Sequence, residues 1–176
     1  MSVVHRYTTA EIPPRLLEQV HDLVLESFGA SYTDHDWANA LGGWHVVVTE
    51  GLVVAHAAVV LRVLHVGARE VRTGYVEAVA TRLGHEGRGL GSLALREVAT
   101  IIGAEAELGA LSTGRHTFYE RLSWERWRGP TFVRRASGDE RTPEEDDGVM
   151  VLRTLSSSDI DLAAPLTCHD RAGDAW

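Results

Sequence analysis

Gly74-Tyr75-Val76-Glu77-Ala78-Val79-Ala80-Thr81, followed closely by Gly84-His85-Glu86-Gly87-Arg88-Gly89-Leu90-Gly91, is the stretch that decides the architecture. Its first half is a valine-rich run with the character of a strand, and its second half is dense in glycine. Beyond it, Leu90, Leu93, Ala94, Val98, Ile101 and Ile102 recur on one helical face. A strand therefore leads through a glycine loop into a long helix. The first amides of a helix have no partner within it, and the macrodipole adds about half a positive charge there. Glycine lets that backbone come close to an anion with no Cβ in the way. A tight turn rich in glycine explains a lone G-x-G-x-G equally well, so the flanking elements must decide.

Upstream, residues 44–49, 52–63 and 71–81 are three apolar runs joined by the turns Glu50-Gly51 and Gly67-Ala68. They read as successive antiparallel strands. A dinucleotide fingerprint would need its glycine loop after the first strand of a parallel βαβ unit; here the loop follows a meander in mid-chain. Further upstream, residues 3–7 suit a short edge strand. Pro13-Pro14 opens a helix whose Leu16, Leu17, Val20, Leu23, Val24 and Phe28 are spaced for one buried face and stop before Gly29. Thr33 and Asp36 stand as the N-cap and third residue of a second, short helix that Gly42-Gly43 ends.

Downstream, residues 108–111 read as a strand, 116–122 as a short helix and 124–133 as another strand. Residues 134–148, with Glu144-Glu145-Asp146-Asp147, read as an exposed excursion, and 149–152 as the last strand. Residues 156–176 show little periodicity. This order defines an α+β fold, a mixed, mostly antiparallel central sheet flanked by helices, in one domain over residues 1–176.

The net charge is −8, and the chain contains no lysine; all 17 basic side chains are arginine. Schiff-base, pyridoxal and P-loop chemistry are thereby excluded. An acidic chain without a basic stripe is a poor partner for nucleic acid or an anionic membrane and suits a cationic ligand. The single cysteine, Cys168, can form no internal disulfide and no zinc cluster, and is read as buried and structural. Neither a membrane span nor a basic-then-apolar leader is evident, so a cytoplasmic location is expected.

The strand Val76-Glu77-Ala78-Val79-Ala80-Thr81 with its glycine loop and helix resembles the GCN5-related N-acetyltransferases. Further segments are similar to the aminoglycoside 2′-N-acetyltransferases of that superfamily: Ala40-Leu41-Gly42-Gly43, Ala55-His56-Ala57-Ala58-Val59-Val60, Gly74-Tyr75-Val76-Glu77, Leu108-Gly109-Ala110-Leu111-Ser112, Arg128-Gly129-Pro130-Thr131 and Arg171-Ala172-Gly173-Asp174-Ala175-Trp176. The resemblance implies the family fold and acetyl-CoA as co-substrate, without a metal. Its pyrophosphate would lie on the loop Glu86, Gly87, Arg88, Gly89, Leu90 and Gly91, and its pantetheine arm along Val79, Ala80 and Thr81. The amide of Val79 would donate to the thioester carbonyl. Glu86 stands where the family usually carries Gln or Arg, so its side chain is expected to face solvent.

The same resemblance implies that Glu77 takes the proton of the acceptor amine and that Tyr119 donates to the departing thiolate. The segment between Ser112 and Tyr119 is two residues shorter than the family pattern. Substrate contacts would come from Ser31, Asp36, Glu77, Ser112, Glu145, Asp146, Asp174 and Trp176, with the register of the acidic loop open by one. Ser31 replaces an aspartate of the family pattern, which removes one ammonium ligand. Trp44 and Trp127 are expected beside the same cleft. A narrow substrate range follows as the expectation, with kasugamycin as an example, and a homodimer follows from the family alone. Another small amine or a protein N-terminus as acceptor, and a non-catalytic acetyl-CoA sensor, stay open as alternatives.

Overall fold

The computed structural model describes residues 1–176. The chain forms two compact units, residues 1–60 with 76–100, and residues 61–75 with 101–176. Two long strands, β3 (Val53–Val66) and β4 (Arg69–Thr81), pass from one unit into the other.

In the first unit β1 (Val3–Thr8) pairs antiparallel with β2 (Trp44–Thr49) from Val3↔Thr49 to Thr8↔Trp44. β2 pairs antiparallel with β3 from Trp44↔Val59 to Thr49↔Val53, with a shift between Val48 and Thr49. β3 neighbours β4. Residues 53–60 of β3 are buried without alternation, as expected of a strand covered on both faces. Gly43 is required where the chain enters β2, because a Cβ there would overlap the Val59 carbonyl.

α1 (Pro14–Phe28) carries proline in its first turn and ends at Gly29, whose φ of 66° is left-handed. It buries Val20, Leu23 and Val24 against Ile12, Ala40, Val47, Val53, Ala58, Ala78 and Ala80. Each fully buried Val or Leu contributes about 1.5–3 kcal/mol. Phe28, expected on that face, is 44% exposed and stacks on Tyr32 instead, 5.3 Å between ring centres. α2 (Asp34–Ala40) begins with Thr33 as N-cap and Asp36 as third residue, as expected, and the two cap one another reciprocally. α3 (Leu90–Glu105) follows the glycine loop and buries Leu90, Ala94, Leu95 and Val98 within this unit.

In the second unit β5 (Leu108–Ser112), α4 (His116–Glu120), β6 (Glu125–Arg126), β7 (Thr131–Arg135), β8 (Gly138–Arg141), β9 (Val149–Arg153) and β10 (Leu166–His169) follow in chain order. The sheet order is β6-β9-β5-β4-β3-β10-β7-β8. β4 and β5 pair in parallel, and so do β10 and β7; β5–β9, β6–β9, β3–β10 and β7–β8 are antiparallel. The sheet is thus mixed and mostly antiparallel, as the element order requires.

Three expectations change here. The strand expected over residues 124–133 is broken, because the amides of Arg128 and Gly129 turn to the Leu162 carbonyl and a Cβ at Gly129 would overlap the Ala164 carbonyl. The excursion over 134–148 contains the β7–β8 hairpin, held by Arg134–Asp139 and Arg135–Glu140 pairs across it. β9 is not the last strand: β10 lies in the tail and is inserted between β3 and β7.

Candidate active site

The first unit supplies a strand end and the glycine loop that follows it. Along β4, Val76, Ala78 and Ala80 are buried while Glu77, Val79 and Thr81 are half-buried, so the latter three share a face. Ala78 has a φ of +50°, which a residue with a Cβ rarely adopts and which costs roughly 1–2 kcal/mol. The loop that follows places Gly84, Gly87 and Gly89 at φ of 79°, 72° and 78°, each with open space where a Cβ would stand. Leu90 and Gly91 open α3 behind them, and Glu86 is exposed. This backbone fits the approach of an anionic group. Arg88 is held by both oxygens of Glu50, at 2.8 and 3.0 Å, so its guanidinium is neutralised where it stands.

The same unit gathers acid near the strand end. Burial first, then the charges of Glu77 and Asp36, push the Tyr32 phenol well above its ordinary pKa. Its hydroxyl is buried and has no hydrogen-bond partner within the protein. The two carboxylates therefore act on one spot, and Tyr32, not singled out from sequence, belongs to the candidate site. The signal available was an aromatic between two residues already implicated, Ser31 and Asp36. Asp36 accepts from the amide and the hydroxyl of Thr33, both at 2.8 Å, which fixes its rotamer. Ser31 is exposed and donates to the Phe28 carbonyl.

In the second unit the β4–β5 ladder runs from Thr73↔Leu108 to Tyr75↔Ala110 and stops there. Ser112, at the end of β5, donates to Glu145 Oε2 at 2.7 Å. Burial raises the pKa of Glu145, the Ser112 bond opposes this, and the charges of Asp174 and Glu144 raise it further. The charge of Asp174 thus adds to burial in disfavouring the ionised form of Glu145, an effect that a cation beside it would relieve. Asp146 is used differently. Arg141, with help from the amide and hydroxyl of Thr131, holds its carboxyl down at about 2. Of the two acids between which the sequence left the register open, only Glu145 lacks an arginine partner.

The tail is pinned in several places. Trp176 is buried and its indole N–H donates to Thr142 Oγ1 at 3.1 Å, while its amide donates to Asp174 Oδ1 at 3.0 Å. Arg62 donates to the Ala175 carbonyl at 2.8 Å, and Arg171 to the Asp174 carbonyl at 2.7 Å. Both guanidinium groups also sit over the Tyr75 ring, 4.6 and 5.5 Å from its centre. Cys168 is buried, its thiol pushed up to about 11 by burial and directed at the Ala175 carbonyl, so it packs the tail. Tyr119 lies on α4, buried against Phe118 and Trp124, and burial pushes its phenol up to about 12. Trp127, expected beside an open cleft, is 2% exposed and spends its indole N–H on the Ala164 carbonyl. It is a core residue.

No protein-family model matches the sequence. Among solved structures, a GNAT-family N-acetyltransferase from Escherichia coli in complex with CoA is similar over 98% of this chain and 93% of its own, with a TM-score of 0.68 at 15% identity. A GCN5-related N-acetyltransferase from Kribbella flavida matches 74% of this chain with a TM-score of 0.60 at 24% identity, and the matched part is 34% of that longer chain. A GNAT acetyltransferase from Brucella melitensis in complex with acetyl-CoA gives a TM-score of 0.54 over 70% of this chain and 83% of its own, at 21% identity. The mixed sheet, the glycine loop opening α3 and these likenesses define the fold as that of a GCN5-related N-acetyltransferase.

An aminoglycoside 2′-N-acetyltransferase from Mycolicibacterium fortuitum is 38% identical over 174 residues, 96% of this chain and 89% of the relative. The chain belongs to the aminoglycoside 2′-N-acetyltransferase family and is an N-acetyltransferase.

Proposed function

We propose that this enzyme transfers an acetyl group from acetyl-CoA to the 2′-amine of an aminoglycoside by direct attack. One observation carries the substrate class: Glu145 is half-buried, feels the charges of Asp174 and Glu144, and has no arginine partner, Arg141 being taken by Asp146. A polyamine sugar supplies the missing positive charge. The relative from Mycolicibacterium fortuitum, named for that reaction, supports the same reading, and the two GNAT structures holding CoA and acetyl-CoA support the donor.

The backbone of Gly87 to Gly91 receives the pyrophosphate, and Val79, Ala80 and Thr81 line the pantetheine arm. Glu86, being exposed, stays outside this contact. Glu77 accepts the proton of the ammonium, since only the neutral amine has a lone pair to attack with. The Val79 amide donates to the thioester oxygen as negative charge gathers on it. Tyr119, whose phenol is pushed up to about 12 by burial, stays protonated at neutral pH and gives the departing thiolate a hydrogen bond. Asp36, with Tyr32 beside it, and Ser112, Glu145 and Asp174 hold substrate amines and hydroxyls. Asp146 and Trp176 act one step back: Trp176 bonds Thr142, Thr142 bonds Thr131, and Thr131 bonds Asp146.

Acetylation removes a positive charge from the drug and so confers resistance. Ser31 in place of the family's aspartate favours a substrate with fewer amines, such as kasugamycin. Trp127 adds nothing to that preference, because it is buried. Acetylation of kasugamycin, gentamicin and tobramycin, followed by CoA release, tests both levels. Turnover of none of them would refute the aminoglycoside reading, and equal turnover of all three would refute the narrow one.

A further inference from the structure

Two histidines with no part in the chemistry above are fully buried in the first unit. His45 lies on β2 and His56 on β3, both at 0% exposure. The antiparallel register sets His45 opposite Ala58, two residues from His56, so the two rings are diagonal neighbours on one face. His45 Nδ1 is 3.0 Å from His56 Nε2, and their ring centres are 5.3 Å apart. His56 Nδ1 lies 2.9 Å from the carbonyl oxygen of Ala78. At the other end His45 Nε2 lies 2.9 Å from Thr9 Oγ1, which accepts from the Gly42 amide at 2.8 Å.

Every proton in this chain can be assigned from one end. A carbonyl only accepts, so His56 Nδ1 carries hydrogen and donates to Ala78. A neutral His56 then presents a bare Nε2, so His45 Nδ1 must donate to it. His45 Nε2 is left as an acceptor for the Thr9 hydroxyl, which lies nearer to it, at 2.9 Å, than to its other acceptor, the Gly43 carbonyl at 3.3 Å, and whose oxygen accepts from Gly42. The polarity runs one way, from Gly42 through Thr9, His45 and His56 to the Ala78 carbonyl. Burial supports the neutral assignment, since it lowers His45 to about 4 and His56 to about 3, the latter helped by the nearby His45.

The place where this chain ends gives it meaning. Ala78 is the residue of β4 with left-handed φ, set between Glu77 and Val79. A strained backbone persists only where its surroundings fix it. The His56 bond supplies such a restraint: it holds the Ala78 carbonyl in one direction and so fixes the adjoining peptide plane, which carries the Val79 N–H. We infer that His56, backed by His45 and Thr9, is a positioning residue for acetyl transfer that aims the Val79 amide at the thioester carbonyl and holds Glu77 in register beside it. This inference rests on the assignment of Val79 as the thioester donor.

Two substitutions separate the two ends of the His56 ring. In His56→Asn the side-chain amide falls near Nδ1 and still donates to Ala78, while the bond to His45 is lost. In His56→Gln the amide reaches the Nε2 position, keeps His45 and leaves Ala78 without its donor. The probe is acetyl-CoA labelled with carbon-13 at the thioester carbonyl, whose resonance moves downfield when a donor polarises it. No acceptor is needed for that measurement. The full chain is compared by carbonyl shift, CoA affinity, melting temperature and kcat.

The expected result is a wild-type shift and kcat within about threefold of wild type for His56→Asn. His56→Gln should lose most of the bound-state shift and about 10- to 100-fold in kcat, up to the loss expected for removing such a donor. CoA affinity should stay within about twofold in both, because the glycine loop is untouched. A merely structural role would lower the melting temperature and kcat of both variants alike, and that outcome would overturn the inference. So would a His56→Gln enzyme with the wild-type shift. An unshifted carbonyl in the wild-type complex would overturn the role of Val79 and the inference with it.

Discussion

Replacing Glu145 by glutamine keeps an oxygen that accepts from Ser112 and removes only the charge. The carboxylate is half-buried, 2.7 Å from Ser112 Oγ and within the field of Asp174 and Glu144. Two effects of opposite sign follow. An ammonium at ~4 Å is worth roughly 1 kcal/mol in water and ~4 kcal/mol at an effective dielectric near 20. A half-buried site lies between these limits, so KM for the aminoglycoside should rise about 10- to 100-fold, with KM for acetyl-CoA nearly unchanged.

The free enzyme should gain stability from the same change. Glu145 has a folded pKa above its unfolded one, so its contribution is lost as pH rises from about 4.5 through the raised value. At neutral pH the charged form opposes folding, and glutamine removes that opposition. Solvent screening keeps that gain small, so the melting temperature at pH 7 should rise slightly. Below pH 4.5 the difference from wild type should vanish, because both states then carry a protonated Glu145. Steady-state kinetics against acceptor and donor, with melting at pH 4 and pH 7, reads all of this. An unchanged acceptor KM, or a lower melting temperature at pH 7, would show that Glu145 is structural.

Asp146→Asn should do the reverse, losing about 1 kcal/mol of stability at pH 7 after screening while changing acceptor KM less than Glu145→Gln. Since Arg141 holds Asp146 down at about 2, that stability is present above pH 4 and lost as pH falls toward 2, which an acid titration of the wild type and the variant compares. Tyr119→Phe should lower kcat about 10- to 100-fold with little effect on either KM, and the wild type should show no rate loss from phenol ionisation below pH 10; a wild-type kcat in the variant would remove Tyr119 from the mechanism. Gly43→Ala should lower the melting temperature by several degrees, because its Cβ meets the backbone carbonyl of Val59. The buried histidines should make wild-type stability fall as pH drops from about 6.5 toward 4, since the unfolded chain takes up their protons first.

Much of the fold could be read along the chain because its signals are local. The valine runs of β2, β3 and β4, the proline start and glycine end of α1, and the Thr33–Asp36 cap each carry their own cue. β8 and β10 do not. Gly138–Arg141 is exposed throughout and becomes a strand only through its turn and its arginine pairs. Leu166–His169 is too short to show a period and is defined by the two strands that flank it. The site divides in the same way. Glu77 and Tyr119 were implicated only through the resemblance of the segments around them to the family, and their roles are proposals. The acidic loop offered four carboxylates of equal appearance, and only burial and partners separate Glu145 from Asp146. Trp127 was misread because a tryptophan near functional residues looks the same in sequence whether it lines a cleft or fills a core. His45 and His56 are eleven residues apart and meet only through the hairpin register.

The ion pairs of both units, from Arg82–Glu26 and Arg88–Glu50 to Arg141–Asp146 and Arg153–Glu125, are made by arginine. A guanidinium stays protonated at any pH at which the protein is folded and has no free lone pair to offer an electrophile. A lysine amine in the same positions would be a slow nucleophile toward an activated thioester. With acetyl-CoA as the proposed donor, an arginine-only salt-bridge network has no cation that the thioester can acylate, and the charge balance of the fold is protected from that chemistry.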